Sequence, residues 1–156
     1  MFNKGDKVVY PLYGAGVIEN LEQKTIDGQE HMFYVLKIPV GNLTILLSSK
    51  KAEGLNIRRV MTAEELSTTI CNVTTIKMAD NWNQRYKDNM ELIKTGDLCE
   101  VAGVFRTLRE RERERGLSSA EKKMLTTVKQ IILSEIILSH NMERPAAEDY
   151  LERTIS

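Results

Sequence analysis

The residues with the chemistry to grip a nucleic acid gather between Asp80 and Lys87, in the stretch DNWNQRYK. It holds the only Trp of the chain, Trp82, followed closely by Arg85, Tyr86 and Lys87. An indole can wedge into an opened base step or stack on an unpaired base, and a neighbouring cation can hold a phosphate. Two readings of Trp82 compete. Trp82, Tyr86, Met90 and Ile93 recur at helical spacing, which places the ring on an apolar stripe and in a core. Its position in the first helical turn, between Asn81 and Asn83, lets the ring project past the end of the helix instead. Arg85 and Lys87 are the candidate phosphate partners, with Asp88 and Glu91 close enough to neutralise them. Lys122 and Lys123 open a later helix. Free N–H groups there favour phosphate, whereas a cation without a partner opposes the helix dipole.

No other constellation carries chemistry. His31 and His140 lack acidic or Cys companions at ligand spacing, and no nucleophile motif is present. Gly14-Ala15-Gly16 lacks the lysine and the following helix of a phosphate loop. The reading is therefore a non-enzyme, with no cofactor, no metal and no small-molecule substrate. Cys71 and Cys99 form no CxxC pair, which argues against a disulfide framework. The start shows no basic, then apolar, leader. The most apolar run, IILSEIIL, is broken by Glu135 and is too short to span a bilayer. A cytoplasmic protein with no membrane partner is expected.

The charge balance sets a limit. Lys+Arg and Asp+Glu both number 22, so bulk charge alone cannot hold nucleic acid. Residues 1–60 carry 8 basic and 6 acidic side chains, and residues 77–129 carry 12 and 9, so the middle of the chain is mildly basic.

The 156 residues leave room for one medium domain or two small ones. Residues 1–60 read as short strands: DKVVYP, YGAGVIENL, EQKTI, HMFYVLKI and LTILL. Gly14 and Gly16 mark a bend or a close backbone approach. Asp27-Gly28 between two strand-like runs predicts a type I′ hairpin. This pattern implies a small, bent barrel of the SH3 or Tudor kind. EQKTI is a candidate edge strand, which invites a partner strand unless it is protected.

From Met61 the period becomes helical. Thr62 with Glu65, Asp97 with Glu100 and Ser118 with Glu121 read as capping boxes. Asp80 or Asn81 caps the helix of Trp82, and Gly96 ends it. RERERER closes the next helix, with Glu110–Arg113 and Glu112–Arg115 as expected pairs. Asn141 is a stop, and Pro145 suits the first position of a last helix. The fold class is thus α+β: a barrel over 1–60 followed by a compact helical bundle over 61–156.

GDKVVYPLYGAGVI, NWNQRYKDNMELIKTGD and RERGLSSAEKKML together resemble the CarD/CdnL family of bacterial transcription regulators, in order and spacing along nearly the whole chain. The opening also resembles the polymerase-interacting domain of the transcription-repair coupling factor. The chain resembles the short, stand-alone form of the family. The resemblance implies an N-terminal Tudor-like domain that binds the RNA polymerase β subunit, partly by strand pairing, through Lys24, Thr25, Ile26 and Leu46. It implies a C-terminal helical domain that contacts promoter DNA at the upstream edge of the transcription bubble. There Trp82 wedges into the minor groove, and Arg85, Lys87, Lys122 and Lys123 hold the backbone. The implied outcome is a longer-lived open promoter complex, formed by a monomer. Three positions depart from the pattern: Gln84 and Lys24 stand where some relatives carry Arg, and Leu46 replaces a basic residue.

A wedge held in place by polymerase needs little DNA affinity of its own, so zero net charge does not oppose this reading. The alternative is an adaptor that binds polymerase with Trp82 in its core and touches no DNA. Residues 1–60 are also expected to fold alone and to keep polymerase binding.

Overall fold

The computed structural model describes residues 2–155. Val8, Ile18, Tyr34, Leu36, Ile38 and Leu47 alternate with more exposed neighbours, so extended backbone gathers them on one face. Their strands form one antiparallel sheet: β1 (Lys7–Tyr10), β2 (Gly14–Ile26), β3 (Gln29–Ile38), β4 (Leu43–Ser48) and β5 (Arg58–Arg59). The spatial order is β4-β3-β2-β1-β5. The two runs read separately as YGAGVIENL and EQKTI are one long strand, β2, with a bulge between Ile18 and Asn20. Asp27 and Gly28 both take positive φ, as the type I′ turn requires.

The α+β class is as expected, but the sheet is not closed into a barrel. After β4 the chain turns into a short helix, α1 (Ser49–Gly54), which packs on β3 and β4. Only Arg58–Arg59 then returns to the sheet, and it pairs with β1 rather than β4. Neither α1 nor β5 is apparent in the sequence pattern.

Five further helices follow: α2 (Ala63–Cys71), α3 (Trp82–Lys94), α4 (Leu98–Arg115), α5 (Ser119–His140) and α6 (Arg144–Thr154). Their core is built on Leu66, Ile93, Phe105, Val128, Ile132 and Leu151, all essentially inaccessible. Each such side chain contributes about 1.5–3 kcal/mol of burial. The caps follow the sequence with two differences. Thr62 and Glu65 form a reciprocal box, and Asn81 caps α3 through Gln84 N–H. Gly96 and Asn141 close their helices in the left-handed region. Asp97 accepts from Cys99 and Glu100 N–H, and Ser118 accepts from Glu121 N–H. Neither bond is returned by the Glu side chain among the described residues. Pro145 takes the second helical position rather than the first.

The sheet docks on α5. Gly14 makes this possible, because it has φ +115° and an added Cβ would lie 2.8 Å from Ser134 Oγ. Ala15 N–H donates to the same oxygen at 2.8 Å. The carboxylate of Glu135, 1% exposed, receives both terminal nitrogens of Arg58 at 2.7 Å and Met61 N–H at 3.0 Å. Arg58 Nε also donates to Gly96 carbonyl at 2.8 Å, and Lys7 Nζ to Leu138 carbonyl at 3.0 Å. We expect Gly14→Ala to destabilise the protein by about 2 kcal/mol, since it adds both backbone strain and a clash. A urea titration checks this, and a loss below about 0.5 kcal/mol would show that α5 can yield.

Candidate nucleic-acid interface

Two of the residues grouped by the DNWNQRYK stretch have opposite fates. Trp82 is the first residue of α3 and remains 44% exposed. The core reading of its stripe therefore fails at the N-terminal end, where the stripe has run past the bundle. Ile93 is buried, Met90 is partly covered, and Tyr86 is 37% exposed. Tyr86 stacks on the indole, with centroids 5.8 Å apart and planes 21° apart. Trp82 Nε1 donates to Ser118 Oγ at 3.1 Å.

Arg85 is not a free phosphate partner. Only 5% of it is accessible. Its Nε and one terminal nitrogen donate to the Glu121 carboxylate at 2.9 and 3.2 Å. Its other terminal nitrogen reaches the carbonyls of Asp80 at 3.0 Å and Ala79 at 3.3 Å. A guanidinium aimed inward at a buried carboxylate has nothing left for DNA. Glu121 answers the missing half of the capping box: its side chain turns to Arg85 instead of back to Ser118 N–H.

Of the basic residues singled out in the sequence as phosphate partners, Lys87 on α3 and Lys122 and Lys123, the fourth and fifth residues of α5, are exposed. None has a carboxylate within 4.0 Å among the described residues. Asp88 accepts from Gln84 rather than pairing with Lys87. Lys123 and Tyr86 line one groove of about 570 Å³ between α3 and α5, floored by Leu12, Met90 and Met124. Exposed aromatic surface and unpaired positive charge thus share one end of the helical bundle.

RERERER does not pair with itself as its spacing predicts. Arg106 meets Glu110 at 3.8 Å, Arg109 meets Glu152 on α6 at 2.8 Å, and Arg111 approaches Glu121 at 3.9 Å. Long side chains on α4 reach across to other helices, which spacing within one helix cannot reveal.

The guanidinium of Arg85 beside Glu121 holds its carboxyl below the usual carboxylate range, although burial pushes the other way. Arg109 does the same to Glu152. A lowered folded-state value means that the stabilising contribution is fully present above about pH 4.3, where an unfolded Glu ionises. The contribution is lost as pH falls from there through the folded value. We expect Glu121→Gln to lower the urea midpoint at pH 7 and to narrow the gap between the midpoints at pH 7 and pH 3. An unchanged gap would mean that the pair contributes nothing to acid sensitivity.

On the sheet, the structure separates the expected polymerase contacts. From Asn20 to Ile26, β2 is paired with β3 on one side and has no strand on the other. Lys24, Thr25 and Ile26 therefore lie on an open edge, all exposed. Alternation and register place Lys24 and Ile26 on the outer face, with His31, Phe33 and Val35, and Thr25 on the other. Lys24 Nζ lies 5.9 Å from the Phe33 ring centroid. Leu46 pairs with Val35 on that same outer face but belongs to the far edge strand, where it is 48% exposed. No helix among the described residues is long and apolar enough to cross a membrane.

A family model described as CarD-like/TRCF RID domain matches residues 2–61, which carry the sheet and α1. A second, described as CarD, C-terminal domain, matches residues 68–152. The Bacillus subtilis (strain 168) protein named "Putative transcription factor YdeB" is 36% identical over 139 residues, 87% of this chain and 90% of that protein. An open-edged sheet, a helical unit docked on it and these matches along nearly the whole length agree: the chain belongs to the CarD-like family.

Proposed function

We propose that this protein is a transcription regulator that binds the RNA polymerase β subunit through its sheet and stabilises the open promoter complex through Trp82. In this reading the open edge of β2 at Lys24, Thr25 and Ile26 accepts a polymerase strand. Leu46 adds apolar contact on the outer face in place of charge. Trp82 enters the minor groove at the upstream edge of the bubble, where base steps are already weakened. Lys87, Lys122 and Lys123 hold backbone phosphates. Arg85 acts from inside the protein. The chain works as a monomer without a cofactor.

The observation that carries this reading is the half-exposed indole at the mouth of α3, backed by Tyr86, which shares a groove with the exposed Lys123. It also accommodates zero net charge, since polymerase supplies the local concentration and the wedge only has to act once delivered.

A photo-crosslinking amino acid in place of Trp82 tests it, in the assembled complex of cognate polymerase and promoter. The expected result is a crosslink to DNA at the upstream bubble edge. Crosslinks to protein alone, with polymerase binding intact, would support an adaptor that makes no DNA contact.

A further inference from the structure

We propose that Ser118, Glu121 and Arg85 form a positioning network that fixes the direction of the Trp82 ring before DNA arrives. The inference rests on the reading of Trp82 as the DNA-facing group, and it assigns roles to three residues that do not themselves touch DNA.

A first-turn side chain leans toward the helix N-terminus, so the Trp82 ring has little of its own helix beneath it. Within α3 only Tyr86 stacks on it. The indole has one polar atom, a donor, and it is committed to Ser118 Oγ. That hydroxyl is saturated. It accepts from Trp82 Nε1 and from Glu121 N–H at 3.2 Å, and donates to Glu121 Oε1 at 3.1 Å. One donor and two acceptor sites are all a hydroxyl offers, so its orientation is determined.

The next link is equally constrained. Glu121, 3% exposed, is fixed by two bonds from Arg85, and Arg85 is fixed by the carbonyls of Ala79 and Asp80. Those carbonyls belong to the segment that leads into Trp82. The network is therefore a closed circuit: backbone before the Trp, Arg85, Glu121, Ser118, and back to the indole. It clamps both ends of the residue, its backbone approach and its ring nitrogen. The ring edge opposite Nε1 then faces away from Ser118. Simple capping does not require this arrangement, because a capping box would return the Glu121 carboxylate to Ser118 N–H. A ring ordered in advance loses less freedom when it binds.

The sole Trp is its own reporter. Ser118→Gly removes the hydroxyl yet keeps most of the N-cap preference, and Ser118→Thr keeps both. Circular dichroism and urea midpoints establish that each variant is folded. Acrylamide quenching and fluorescence anisotropy are then read on free protein, and open-complex lifetime with cognate polymerase. For Ser118→Gly the expected results are stronger quenching, lower anisotropy, and a two- to tenfold smaller gain in lifetime, about the effect of one side chain left to be ordered on binding. Ser118→Thr should match wild type. Unchanged quenching and anisotropy in Ser118→Gly would overturn the anchoring. A mobile ring with an undiminished lifetime gain would overturn the positioning role. The fluorescence arm needs no DNA, so it can fail independently of the DNA reading, which Trp82→Ala decides.

Discussion

Arg58→Ala is expected to destabilise the protein by about 3 kcal/mol or more and to loosen the sheet from α5. The Glu135 side chain is buried, and its carboxylate receives two bonds from Arg58 and one from Met61 N–H. Removing the guanidinium leaves that carboxylate buried with one donor. Breaking such a pair from one side costs about 3–5 kcal/mol. Arg58 itself is 27% exposed, which lets water enter the gap and favours the lower end of that range. Removing both partners should be far milder, so Arg58→Met with Glu135→Leu is expected to recover most of the loss. Denaturant titrations of the two single variants and the double variant decide this. A loss under about 1 kcal/mol for Arg58→Ala would show that the pair behaves as a surface contact.

The same contacts bear on modularity. The sheet has its own core around Ile18, Tyr34 and Leu36, separate from that of the helices. Its polar ties to the helices run through Arg58, Lys7 and Ala15 N–H, which water can satisfy once they are severed, and its apolar ties are few, chiefly Leu12 and Val40 against the helical core. We propose on that basis that residues 1–60 remain foldable alone. The docked geometry would be lost, and with it any fixed distance from the β2 edge to Trp82.

Trp82→Ala is expected to change folding stability by less than about 1 kcal/mol, because a half-exposed ring outside both cores has little burial to lose. Its effect on the open complex should be much larger. A stacking or wedging aromatic contributes about 1–3 kcal/mol, so its loss should shorten the lifetime gain by about 5- to 150-fold. The contrast between the two readouts is itself the prediction. A core Trp would show the reverse, a large stability loss and a functional loss only in proportion to it.

The parts of this molecule that depend on local chemistry were readable in its residues. Asp27-Gly28 announced its turn, Thr62, Asn81 and Asn141 their caps, and the alternation around Tyr34 and Leu36 the inner face of the sheet. Gly14 signalled a close approach, and α5 is what approaches. The remainder depends on partners distant in sequence. Arg85 looks like an exposed cation until Glu121, on another helix, is placed beside it. Ser118 looks like a cap, and only folding brings the indole nitrogen to its hydroxyl. Arg109 and Arg111 of α4 reach Glu152 on α6 and Glu121 on α5, while among the described residues only Arg106 pairs within its own helix, with Glu110. Barrel closure failed for a related reason: the segment after β4 has no pattern that distinguishes a further strand from the short helix α1.

The most direct test of the account is the lifetime of the open complex at a ribosomal RNA promoter with cognate polymerase, measured with no protein, wild type and Trp82→Ala. Such a promoter should have a short-lived open complex, since holding an already stable one longer would slow escape instead. The account predicts a longer lifetime with wild type and none of that gain with Trp82→Ala, at equal polymerase occupancy. An equal gain with both proteins would contradict the wedge and move the DNA contact elsewhere, to Lys122 and Lys123 first. No gain from wild type would contradict the central claim itself.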